Sequence, residues 1–125
     1  MKALLISNEL EQKIKIIDIE RGDNELQSIY DAIECRTIDF VSLAEISPGK
    51  ALDFIVDDEG RFNNQFPNWH TVIPFAKRKT RFPLYGKVLV TTTDLASGET
   101  IDTDADFAKN ILIDRFGFED EQFEF

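Results

Sequence analysis

Hydrophobic and polar positions along the chain follow two periods, and the changes between them mark out the elements. Residues Lys2–Ser7 and Lys13–Ile19 read as strands. In the second, the β-branched Ile14, Ile16, Ile17 and Ile19 are interrupted by Lys15 and Asp18 in partial alternation. Asn8–Gln12 and their neighbours supply a hairpin loop, and Arg21-Gly22-Asp23-Asn24 ends the second strand. The period then becomes helical: Leu26, Ile29, Tyr30 and Ile33 fall at i, i+3, i+4 and i+7. Asn24 is the expected N-cap, with Gln27 placed to close a capping box and Cys35 at the far end. Thr37–Leu43 and Ala51–Asp57 return to strand character around the turn Ser47-Pro48-Gly49, and Asp57-Asp58-Glu59-Gly60 forms the next turn. From Arg61 to Pro83 the pattern dissolves among Asn63, Asn64, Pro67, Asn68, Pro74 and Pro83, which predicts a long ordered loop or short edge pieces. Gly86–Thr93 is a fifth strand, and Ser97-Gly98 a turn. A last helix is expected over Asp104–Phe116, with Thr103 as N-cap, Asp104 and Asp106 in its first turn, Phe107, Ala108, Ile111 and Leu112 on its apolar face, and Gly117 at C′.

The order β-β-α-β-β-loop-β-α predicts an α+β fold: a mainly antiparallel sheet of about five strands with two amphipathic helices packed on one face. At 125 residues the chain is expected to form a single domain, with 117–125 set apart as an acidic, Phe-rich tail. Its eleven Phe carry no polar handle, so most rings must be buried or dock on something.

Charge adds a second pattern. Residues 77–93 hold Lys77, Arg78, Lys79, Arg81 and Lys87 and no acid, whereas 94–125 hold ten acids against Lys109 and Arg115. The net charge of −10 disfavours nucleic acid and anionic membranes as partners and favours a protein with a basic surface. A single cysteine rules out an internal disulfide. The opening segment lacks the form of a signal peptide and no apolar run is long enough to span a bilayer, so a soluble, cytoplasmic protein is expected.

The candidate chemistry is sparse. Asp102, Asp104 and Asp106 begin like a calcium loop, but the position that requires Gly is Phe107 and the one that requires Glu is Ile113. Asp57, Asp58 and Glu59 are accounted for by a turn. His70 is the sole histidine, which excludes a multi-His zinc site, and a Cys35–His70 nucleophile pair competes with a buried structural thiol. Phosphate-binding glycine loops and the hydrolase elbow are missing. The chain is therefore expected to be non-catalytic and to use no cofactor or metal.

Three segments together resemble a small family of domains of unknown function carried by phages, plasmids and their bacterial hosts: Met1-Lys2-Ala3-Leu4-Leu5-Ile6; Ile55-Val56-Asp57-Asp58-Glu59-Gly60-Arg61 with Pro67-Asn68; and Tyr85-Gly86-Lys87-Val88-Leu89-Val90 followed by Thr91–Asp94. The resemblance implies a mobile-element accessory protein and supplies no catalytic residues.

The expectation for function is an accessory or regulatory protein that binds another protein, with a homo-oligomer compatible. Lys77, Arg78, Lys79, Arg81, Glu119, Asp120, Glu121, Phe123 and Phe125 are the candidate partner-binding residues. Two alternatives are an acidic DNA mimic that inhibits a host nuclease or defence protein, and an RNA or single-stranded-DNA binder acting through the 77–87 island. The Phe-rich tail has two readings as well: a packed terminal strand, or a docking peptide.

Overall fold

Three apolar runs, Ala3–Ile6, Phe54–Val56 and Val88–Val90, organise the computed structural model. It describes residues 1–7, 13–59, 67–75 and 78–125, and for 42–46, 67–75 and 78–85 the backbone alone. In chain order the elements are β1 (Lys2–Ile6), β2 (Ile14–Asp18), α1 (Glu25–Ile33), β3 (Ile38–Ser47), β4 (Lys50–Asp57), β5 (Pro67–Phe75), β6 (Arg78–Tyr85), β7 (Val88–Asp94), β8 (Thr100–Ile101) and α2 (Ala105–Phe116). Single 3₁₀ turns occupy Gly22–Asn24 and Asp120–Gln122.

The main sheet has six strands in the order β2-β1-β7-β4-β3, with β8 also on β7. Every strand pair is antiparallel; Leu5 of β1 and Ile55 of β4 both stand opposite Leu89 of β7. The α+β architecture read from the sequence is thus the observed one.

The helices, expected on one face, lie on opposite faces. Leu4, Ile6, Leu52, Phe54, Val56, Val88 and Val90 point to the side covered by Ala108, Ile111 and Leu112 of α2. Ala3, Leu5, Ile55 and Leu89 point to the other, beneath Ile29 and Ile33 of α1. The physical reason is in the runs themselves. A strand with one wet face alternates, whereas consecutive apolar residues demand cover on both sides.

Local chemistry departs from expectation at both helix starts. Asn24 makes no side-chain cap, and Gln27 donates to Asp31 at 2.9 Å instead of closing a capping box. Leu26, assigned to the apolar face, is 50% exposed. For α2 the cap is Asp104, which accepts from Phe107 N–H at 3.1 Å. Thr103 is instead buried, its hydroxyl 3.1 Å from that of Thr92. Phe107 is likewise turned outward. Gly117 takes the expected C′ place with φ 76°, a left-handed conformation suited to glycine.

Of the 61–83 stretch, expected as a long ordered loop or short edge pieces, the described residues form a hairpin, β5 paired with β6 as a separate two-stranded sheet, and 61–66, 76 and 77 lie outside the described residues. Pro67, Pro74 and Pro83 did not prevent it. In a two-stranded ribbon each strand has one unpaired side, where a missing N–H costs no ladder bond. β5 lies beside α2, and β6 approaches β4.

Candidate interaction site

The segment after α2 is docked on the domain. Gly117 reverses the chain, and Phe118 enters the core with its N–H bonded to Leu112 C=O at 3.2 Å. Glu119 then caps the last 3₁₀ turn, its N–H donating to Gln122 Oε1 at 2.8 Å in a reciprocal box. Phe123 forms a parallel bridge with Ile14, and Glu124 N–H donates to Ile14 C=O at 2.8 Å. The tail therefore meets the outer edge of β2 at its first residue, Ile14.

Two lysines hold it. Lys109 Nζ of α2 meets Asp120 Oδ1 at 2.9 Å and sits 5.4 Å from the Phe123 ring centre and 5.9 Å from that of Phe125. Lys13 Nζ donates to Glu121 C=O at 3.2 Å. The Phe123 and Phe125 rings meet edge to face at 5.7 Å. Phe123 is buried and Phe125 is 39% exposed. Glu119 beside Glu121 raises the Glu121 carboxyl above its ordinary value, first through a hydrogen bond between the two and then through charge repulsion. A shallow depression lined by Lys13, Gly117, Glu119, Glu121 and Gln122 runs along this segment.

The predicted site residues thus separate. Glu119, Asp120, Glu121, Phe123 and Phe125 form one cluster at β2 and α2. Arg78, Lys79 and Arg81 lie on β6, opposite Phe75, Pro74 and Val72. Lys77 falls outside the described residues. The hairpin that carries them is a separate sheet, with β6 near β4 and β5 beside α2. Lys87, the last cation of the island, pairs with Glu34 at 3.3 Å. Sequence reasoning missed Lys13 and Lys109, because only the tertiary fold brings them to the tail.

The second edge of the sheet is different. Among the described residues, β3 pairs with β4 alone along its ten residues. Phe40, opposite Ile55 on the α1 face, is 55% exposed, the most exposed of the large apolar side chains described. Ile38 of the same strand packs in the cluster beneath α1, whereas Phe40 stays exposed. Asp39, exposed on β3, adds an acid to this strand, and the Asp58 N–H bond to Thr37 C=O at 3.2 Å continues the ladder on its β4 side.

The remaining candidates have structural roles. Asp57 is buried and accepts from Glu59 N–H at 2.9 Å, forming the turn. Asp102 accepts from Lys2 N–H at 2.8 Å and pairs with Arg21 at 3.2 Å. Burial, followed by the Asp57 charge, pushes the Cys35 thiol up to about 11, which suits a structural thiol and not a nucleophile. Asp53 is buried on β4 and accepts a hydrogen bond from the Thr93 hydroxyl. No helix among the described residues is long and apolar enough to cross a membrane.

These features define a class: a small antiparallel α+β domain with its C-terminal segment bridged to the start of one edge strand and, among the described residues, the other edge strand unpaired on its outer side. The family model described as a domain of unknown function, DUF3846, matches residues 1–117, and the chain belongs to that family. The match ends at Gly117, so the docked segment 118–125 lies beyond it. Neither the curated proteins nor the solved structures yield a match.

Proposed function

We propose that this domain acts without catalysis, as an accessory or regulatory protein of a mobile element, by binding another protein along β3. The observation that carries this reading is the outer edge of β3, which is unpaired among the described residues. A ten-residue strand with unpaired backbone groups and an exposed aromatic ring is a template for strand addition. The exposed Asp39 on this strand, together with the net charge of −10, favours a basic segment as the added strand. DNA mimicry gains less support, because Asp102 and Asp120 are each paired to a cation and interrupt an acidic face. Binding of nucleic acid by Arg78, Lys79 and Arg81 would have to overcome the charge of the whole molecule.

The test uses the full chain as bait in host lysate beside a Phe40→Asp variant and an Asp106→Asn control. A specific partner should be retained by the wild type and the control and lost by Phe40→Asp. A set of captured proteins indifferent to Phe40 would remove the β3 edge as the binding surface.

A further inference from the structure

We infer that the groove between the outer edge of β2 and α2 is a second peptide-binding site, whose ligand is an acidic segment ending in Phe-x-Phe and whose resident occupant is the chain's own residues 118–125. This goes beyond the β3 reading and does not depend on it.

The contacts are those of a docked peptide. Main-chain recognition comes from the Ile14 carbonyl, which accepts Glu124 N–H, and from the parallel bridge to Phe123, the pattern of strand addition. Phe123 is the buried anchor, set in a cluster with Ile14, Leu112 and Phe118. Lys109 and Lys13 form a basic rim that reads the acidic turn, one through the Asp120 carboxylate and the other through the Glu121 carbonyl. Lys109 also lies over both rings, so one cation reads the acidic and the aromatic features of the segment together.

An independent observation separates groove from occupant. Lys13, Ile14 and Lys109 lie inside the region matched by the family model, and Phe118–Phe125 lie outside it. The receptor side thus falls within the matched region and the occupant beyond it. The left-handed turn at Gly117 connects the two by a single residue, so the tail holds the groove at an effective concentration of about millimolar. A ligand in trans competes with that tail, and the tail sets the threshold for binding.

The experiment measures fluorescence anisotropy of a labelled peptide with the sequence of residues 117–125 against the full-length wild type and a Phe123→Ser variant, whose own tail has lost its anchor. The variant is expected to bind at least tenfold more tightly than the wild type. Adding Lys109→Glu should abolish that binding, as should a peptide with its last two Phe replaced by Ser. Failure of a folded Phe123→Ser variant to bind the peptide overturns the proposal. If that variant does not fold, amide exchange in the wild type decides. Excess peptide should speed exchange at Phe123 and Glu124 and leave Leu89 and Val90 unchanged, and unaltered tail protection overturns the proposal. Loss of the Phe40-dependent partner bears on β3 alone, so the two ideas fail separately.

Discussion

Glu34 is the one described non-glycine residue with positive φ, at 56°. It occupies the left-handed C-cap of α1, where a β-carbon costs about 1 kcal/mol. Its ion pair with Lys87 is mostly exposed on the Glu34 side, so it returns less than about 1 kcal/mol. Glu34→Gly should therefore stabilise the domain by about 0.5 kcal/mol, read as a higher urea midpoint at unchanged slope. Next to it, Cys35 with its thiol near 11 should carry about two orders of magnitude less thiolate at neutral pH than an unperturbed cysteine. Iodoacetamide should label native Cys35 correspondingly slowly, and Asp57→Asn should quicken the reaction by removing the nearby charge. Asp102 gives the pH signature. The Lys2 N–H it accepts, followed by its contacts with Arg21, holds its carboxyl below the ordinary value. A folded value below the unfolded one means that the charge stabilises the fold above about pH 4. That contribution fades as pH falls through the depressed value. Asp102→Asn, which keeps an oxygen for Lys2, should lower Tm at pH 7, and the gap should close under strongly acid conditions.

Elements were legible in the sequence wherever a local rule decided them. The β1 and β7 runs, the β3–β4 turn at Pro48-Gly49 and the α2 stop at Gly117 all stand where turn chemistry and periodicity put them. What stayed hidden depends on contacts distant in sequence. Ala3–Ile6 carried the signal for two-sided burial, yet which helix covered which face emerged only from the strand order. The Pro-rich 61–83 stretch reads as a loop or short edge pieces because prolines argue against a central strand, and they say little against a free ribbon. In the tail the alternation of Phe with acids was visible, but Lys109 and Ile14 were not identifiable as its receptors. The tail is therefore best tested as an element. Phe123→Ala removes a buried ring and should cost about 3 kcal/mol by urea unfolding. Phe125→Ala, at a half-open position, should cost less than about 1 kcal/mol. Equal effects would mean that the segment is held mainly by its charges and not by its anchor.

At the scale of the whole molecule, the strand order makes β7 the mechanical centre. It is paired to β1 and β8 on one side and to β4 on the other, and covered by α2 above and α1 below. Opening the β7 ladder requires both hydrophobic clusters to separate, so its amides should exchange only through global unfolding. The edges need no such event. Among the described residues β3 has a neighbour on one side; it carries register shifts between Ser42 and Ala44 and between Glu45 and Ser47, and can fray while the centre stays paired. β2 is its counterpart at the opposite edge, but Phe123 and Glu124 tie down its first residue, Ile14. Exchange protection should accordingly decline from β7 outward in both directions, more steeply toward β3 than toward β2. Removing the anchor with Phe123→Ala should erase that asymmetry by lowering protection in β2 selectively. Uniform loss across all strands would instead show that the tail is an inseparable part of a single cooperative core, and that its groove cannot be vacated while the fold persists.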